Sequence, residues 1–213
     1  MEISQHQLKQ RSNLHMARKL WHLFGVLTLI VIYHNVSHAM AFQLITFVTG
    51  LCIVLDILRR HSLIINQALM SVFHPIMREH ERNSLTGTTY LLSGAFIIIF
   101  LFPKLIVTLS LLFLAIADPL AGYVGTLYGR DKIVGNKSLQ GFVTAFVCCT
   151  IIAVVYYLIN NLMTDRILIV SIASGLIGAF AELIPIFKLD DNFTFPIISA
   201  AGLWVLFYLF GGF

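Results

Sequence analysis

Apolar residues fall into seven runs along the chain: Leu20 to Tyr33, Ala39 to Leu58, Tyr90 to Phe102, Leu105 to Tyr128, Phe142 to Ile159, Ile167 to Ile186 and Phe193 to Phe210. A bilayer core about 30 Å thick takes about 20 helical residues to cross, so the first and third runs must borrow flanking residues. Membrane β-strands would be about 10 residues long and alternate in polarity, which these runs do not. Helices are the remaining way to satisfy backbone polar groups in lipid. The pattern predicts an all-α integral membrane protein, a polytopic bundle of about seven transmembrane helices. The third run, flanked by Thr88-Thr89 and Pro103, is the weakest span and the place where a re-entrant segment would fall.

Composition agrees. The 213 residues are 58% hydrophobic and 11% charged, with a mean hydropathy of +0.88, outside the range of a water-soluble domain. Ala39-Met40-Ala41 resembles a signal-peptidase site, but six further runs follow, so the first run reads as a span. Cys52, Cys148 and Cys149 lie inside apolar runs and read as small core filler, with no disulfide or metal spacing.

Charge sets the orientation. Alternate polar segments hold Lys9, Arg11, Arg18 and Lys19, then Arg59, Arg60, Arg78 and Arg82, then Arg130, Lys132 and Lys137, then Lys188. Of the 14 Lys and Arg, only Lys104 and Arg166 fall on the other side. The positive-inside rule therefore places the N-terminus in the cytosol and the C-terminus outside. We expect one membrane domain over 1–213, with a cytosolic leader over 1–19 and a cytosolic loop over 59–88. Within that loop Leu63, Ile64, Leu69, Met70, Phe73, Ile76 and Met77 recur at helical spacing, which predicts a helix along the membrane interface, kinked at Pro75.

Three acids approach the cytosolic face from within spans: Asp56, Asp118 and Glu182. An acid at mid-bilayer costs at least about 2.5 kcal/mol, so each is a functional candidate. Asp56 precedes Arg59 and Arg60 by one turn, and an ion pair explains it. Asp118 is followed by Pro119 and opens the stretch "DPLAGYVGTLYGRDKIVGNKSLQG". On a helix Asp118, Gly122, Gly125 and Gly129 share one face, an acid above a groove without side chains. Such a face suits a neighbouring helix or a ligand. The groove leads to Arg130, Lys132 and Lys137, and glycines beside cations at a helix end suit a polyphosphate. Three other stretches are polar: "ARKLWH" with Arg18, Lys19 and His22, "REHERNSLTGTTY" with Glu81 and Arg82, and "AELIPIFKLDDNFTFP" with Glu182, Asp190, Asp191 and Asn192. Asn192 is a good N-cap for the last helix, a role that does not require the doubled aspartate. His34, Asn35 and His38 show no ligand spacing.

These four stretches, in this order, resemble the dolichol kinase, phytol kinase and CTP-dependent diacylglycerol kinase family of membrane enzymes. The likeness runs from Arg18 to Pro196 and is most specific at "DPLAGYVGTLYG" and "NKSLQG". Carried over by motif, it implies a nucleotide site of Arg18, Lys19, Asp118 and Gly125, with Lys137 at the family's basic loop position. The implied reaction moves the γ-phosphate of CTP to a membrane lipid alcohol. Asp118 would hold Mg²⁺ with Glu182 or Asp191 as second ligand or base, and Arg18, Lys19, Arg82 and Lys137 would grip the triphosphate. Lys19 and Glu182 join Asp118 as catalytic candidates, and Gly122 and Gly125 floor the nucleotide groove. The implied partners are a polyprenol, phytol or diacylglycerol, a nucleoside triphosphate and bilayer lipids. No nucleic acid is indicated, and the glycine faces leave room for a homo-oligomer. The short chain points to a bacterial inner membrane. Two other classes stay open: a CDP-lipid-forming cytidylyltransferase, which needs nearly the same site, and a secondary transporter, whose acids would relay ions. No "GxxxxGK" occurs, so the site is not a Walker loop.

Overall fold

The computed structural model describes the backbone of residues 2–73, 81, 84–186 and 189–213, and the side chains of these residues other than 2–15 and 70. Its helices are α1 (Glu2–Asn35), α2 (His38–His61), α3 (Leu63–Phe73), α4 (Gly87–Leu101), α5 (Lys104–Leu112), α6 (Asp118–Leu127), α7 (Leu139–Ile159), α8 (Ile167–Leu183) and α9 (Asp191–Phe210). A π-helical turn, Phe113–Ala117, joins α5 to α6 without a break, so the fourth apolar run is one span with a distortion just before Asp118. Among the described residues six helical stretches are long and apolar enough to cross a membrane. The protein is an all-α polytopic membrane protein, with a small antiparallel strand pair, β1 (Lys132–Val134) and β2 (Lys137–Ser138).

The third run forms the 15-residue α4, shorter than the other six. It nevertheless runs the length of the bundle antiparallel to α2. At one end Thr86 and Thr89 bond Asp56 of late α2, and at the other Phe96 and Phe100 meet Phe42 of early α2, with ring centroids 5.5 and 5.6 Å apart. Thr86 caps the start of α4, the side chain accepting from Thr89 N, and the backbone turns extended at Phe102 to end it. Its close neighbour is α9, because Gly94 leaves room where α9 is opened by Pro196: a Cβ on Gly94 would lie 3.0 Å from the Pro196 ring and 3.1 Å from the Phe193 carbonyl. Pro196 cannot donate to the carbonyl four residues back, and Ser110 turns its hydroxyl to Pro196 O (2.8 Å) and to Ser199 (2.8 Å) on the opposite side.

The core lies between α4, α5, α7 and α9 around Phe113, Phe195, Tyr157 and Phe207, all fully buried. Cys149 packs against Gly178, as filler should. The cations expected on opposite sides do separate. Lys104 sits over Tyr33 (5.3 Å) at one end of α1, with His34 bonding Thr108 nearby, whereas Arg18 and Lys19 sit about four helical turns earlier on α1, near Glu81 and Asp118. Within the 59–88 segment the structure has a helix, α3; Pro75 and the remainder of the apolar stripe lie outside the described residues.

Candidate active site

The charged motifs converge at one end of the bundle. Asp56 is buried, and both its oxygens are spoken for. Oδ1 accepts from Arg59 Nε at 2.6 Å, and Oδ2 accepts from Thr86 N (2.9 Å), Thr86 Oγ1 (3.2 Å) and Thr89 Oγ1 (2.6 Å). Arg59 in turn donates to the Ser84 carbonyl. The acid thus ties α2 to the capped start of α4, the ion-pair role that its spacing suggested.

Arg18 donates to Glu81 at 2.7 Å beside the first turn of α4. Gly87 is pinched there: a side chain would collide with Arg18 and lie 3.0 Å from Asn192 Nδ2. Asn192 does not cap α9. Asp190 does, accepting from Asn192 N at 3.0 Å, and Asn192 instead reaches across to the Gly87 carbonyl at 3.3 Å. The cap falls on Asp190 because α9 starts at Asp191, which places Asn192 inside the first turn. One half of the aspartate pair is therefore structural. Arg82 lies outside the described residues.

The other half, Asp191, belongs to a cluster around Lys137. The hairpin turns at Gly135, whose φ of +53° favours glycine, and β2 delivers Lys137 toward the bundle. Its ammonium donates to Glu182 Oε1 and Asp191 Oδ2, both at 2.8 Å. Burial works against the Lys137 charge, but Asp191, Glu182 and Asp118 outweigh it and hold the ammonium protonated well above lysine's usual range. Asp118, partly buried, is within electrostatic reach of His22, Lys137, Asp191, Asp190 and Lys19. Lys19 rests over the Tyr123 ring at 4.9 Å.

Local backbone explains why Asp118 sits here. A π turn pairs each carbonyl with the N–H five residues on. Five residues beyond Leu114 is Pro119, which has none. The Leu114 carbonyl is met instead by His22 Nε2 at 3.0 Å, which anchors α1 beside the distorted turn. Nothing in the periodicity of either run announces this contact; the proline after the acid was its one signal.

The expected glycine groove is only partly open. Gly122 is free, since a Cβ there would meet nothing within 4 Å. Gly125 is a helix crossing, where a Cβ would lie 3.1 Å from Ser138 Oγ and 3.7 Å from Gly141. Gly129 lies beyond the end of α6 rather than on its face, and a Cβ there would strike the Gly125 carbonyl and Ser138. A cavity of about 320 Å³ remains, lined by Gly122, Gly125, Lys132, Lys137, Ser138 and Glu182 among others.

Among the described residues no three His, Cys, Asp or Glu side chains form a ready metal cluster. The donor set still suits Mg²⁺, which is commonly held by one or two carboxylates with waters and substrate phosphates completing its shell. The buried Glu182 Oε2 has no hydrogen-bond partner among the described residues, an acceptor that a cation would satisfy.

A multi-helix membrane bundle with a phosphate-sized, cation-lined cavity at one end defines the class. The comparisons specify it further. The chain is 33% identical over 161 residues to CTP-dependent diacylglycerol kinase 1 of Schizosaccharomyces pombe, covering 71% of this chain and 74% of that protein. It is 26% identical to the Saccharomyces cerevisiae protein of the same name, over 86% of this chain and 70% of that one. It is 27% identical to an uncharacterised protein of Rickettsia prowazekii, over 84% of this chain and 88% of the other. No protein-family model matches, and no solved structure does. The chain belongs to the CTP-dependent diacylglycerol kinase family of lipid kinases.

Proposed function

We propose that the protein transfers the γ-phosphate of CTP to the free hydroxyl of a membrane diacylglycerol at the cytosolic face. The observation that carries this reading is the Lys137 cluster, an ammonium shared by Glu182 and Asp191 beside Asp118 and a glycine-lined cavity. Phosphoryl transfer asks chiefly for positioning and charge neutralisation, and the cluster is built for both. Lys137 and Lys19 are the cations for the triphosphate, with Gly122 giving it room and Arg82 a further contributor, whereas Arg18 is paired with Glu81 at 2.7 Å away from that cavity. Asp118 and Glu182 would hold Mg²⁺, with Asp191 beside them; when bound, the ion neutralises charge on the phosphate oxygens. Drawn to a metal, Glu182 and Asp191 would release Lys137 toward the phosphates. The acceptor oxygen bonds the γ-phosphorus as the bridging oxygen leaves with CDP, and the hydroxyl proton passes to one of the site carboxylates.

Diacylglycerol is favoured over polyprenol or phytol by the names of the fungal relatives. A bacterial cell membrane is supported by the Rickettsia relative, most of whose length is matched. A cytidylyltransferase would attack the α-phosphorus instead, so the two reactions separate by label. Purified protein given CTP, Mg²⁺ and a panel of lipid alcohols should move γ-label, and no cytosine label, into phosphatidic acid. Cytosine in the lipid with pyrophosphate released would overturn the assignment.

A further inference from the structure

A second cavity, of about 360 Å³, opens between α1, α2, α3 and α4 and shares no lining residue with the one at Lys137. Its walls grade from polar to apolar. Arg18, His22, Glu81 and Asn192 stand at one end, and Gly25, Leu29, Cys52 and Leu92 line the part that lies deeper along the spans. Along α1 this space is unfilled at Gly25, where a Cβ would meet nothing within 4 Å. At their far ends α1 and α2 close again, with Tyr33 touching His38.

We propose that this cavity seats the acceptor, a diacylglycerol whose glycerol hydroxyl lies at Arg18, His22 and Asn192 and whose acyl chains pass Gly25 and Leu92 into the bilayer between α1 and α2. The assignment rests on the lipid-kinase reading and adds to it a place for the second substrate.

Charge argues for an uncharged alcohol here. The cations at the polar end are matched by acids, Arg18 by Glu81 at 2.7 Å and Arg59 by Asp56 at 2.6 Å, so no surplus positive charge awaits a lipid phosphate. The other cavity has Lys132 and Lys137 on its wall. Asp118 lines neither cavity but is within electrostatic reach of His22 on the lipid side and of Lys137 on the nucleotide side. The first turn of α9 links the two sides directly, since Asn192 lines the lipid cavity and its neighbour Asp191 binds Lys137. Donor and acceptor held on either side of one carboxylate is the arrangement that turns a two-substrate encounter into a positioned reaction. The volume falls within the range of about 300–1,000 Å³ typical of small-molecule sites. It takes the glycerol head and the first methylenes, and the remaining chains stay in lipid.

The test fills the cavity without touching its charges. Gly25→Leu should raise the apparent KM for dioleoylglycerol about tenfold, equivalent to about 1.4 kcal/mol, while the KM for CTP stays within about twofold. Gly50→Leu, on the exposed face of α2 where a Cβ also meets nothing, should change neither. In the unmodified protein, a diacylglycerol carrying a diazirine on an acyl chain should label peptides containing Gly25 and Leu92. An active Gly25→Leu protein with an unchanged acceptor KM, or label confined to other helices, overturns the site and leaves the kinase reading intact. Labelling at Gly25 and Leu92 in a protein that moves no γ-phosphate to any lipid supports the site and overturns the kinase reading instead.

Discussion

Lys137 Nζ lies 2.8 Å from Glu182 Oε1, and because the same ammonium also holds Asp191, one side chain fastens the hairpin to the ends of α8 and α9. Its folded pKa is raised, so the stability it contributes is complete below the ordinary lysine value of 10.5 and is lost only as pH climbs through the higher folded one. Lys137→Met leaves two carboxylates facing each other without a cation. It should cost about 2 kcal/mol near pH 8, less than a fully buried broken pair because Asp191 is half-exposed. Melting in detergent across pH should show that deficit shrinking toward pH 5, as the carboxylates of the variant take up protons. A deficit that stays constant with pH would show that charge pairing is not what Lys137 supplies.

Asp118 and Asp56 should part company. Asp118→Asn keeps the shape and removes the charge, and should abolish γ-transfer while the protein melts within a few degrees of the unmodified chain. Asp56→Asn takes away the buried carboxylate that faces Arg59 and the α4 cap, so it should lower stability by about 3 kcal/mol, in the range for breaking a buried pair. Its activity at low temperature should survive in whatever fraction stays folded. Melting curves paired with single-turnover rates separate the two, and equal behaviour of both variants in both assays would remove Asp118 from the chemistry.

The glycine face predicts a similar division. Gly122→Leu projects into the open cavity and should raise the KM for CTP about tenfold, close to 1.4 kcal/mol, with normal melting. Gly125→Leu would instead drive a side chain into Ser138 and Gly141, where α6 crosses α7, and should destabilise the fold by about 1–3 kcal/mol as overpacking does. Normal melting of Gly125→Leu would mean that the crossing is looser than its distances indicate.

How far the chain announces all this differs by feature. The spans were legible because lipid imposes one solution on a long apolar run, and Lys104, over Tyr33 at the far end of α1, stands apart from Arg18 and Lys19 as the loop charges implied. The Asp56–Arg59 pair followed from spacing on one helix. Contacts between distant elements were not legible. Asn192 looks like a cap in sequence and becomes a cross-brace to Gly87 because Asp190 takes the cap. The groove below Asp118 looked continuous at helical spacing, but α6 ends before Gly129, and Ser138, from a strand no apolar pattern marks, closes it at Gly125. The π turn left one trace, the proline after the acid.

That proline gives the last prediction. In the π register the backbone donor to the Leu114 carbonyl would be residue 119, a proline with no N–H, and His22 Nε2 bonds that carbonyl at 3.0 Å. His22→Leu keeps bulk but leaves that buried carbonyl unpaired, which should cost about 1–3 kcal/mol of stability. Pro119→Ala restores an N–H in the register the π turn uses and removes the clash that favours the distorted backbone. In the double variant the carbonyl has its backbone donor again, so the loss should be smaller than the sum of the two single losses. A coupling of about 1 kcal/mol in a double-mutant cycle, read from melting rather than activity, is the expected result. Strict additivity would show that the imidazole and the proline do not share the Leu114 carbonyl, and that α1 is fixed beside Asp118 by its other contacts.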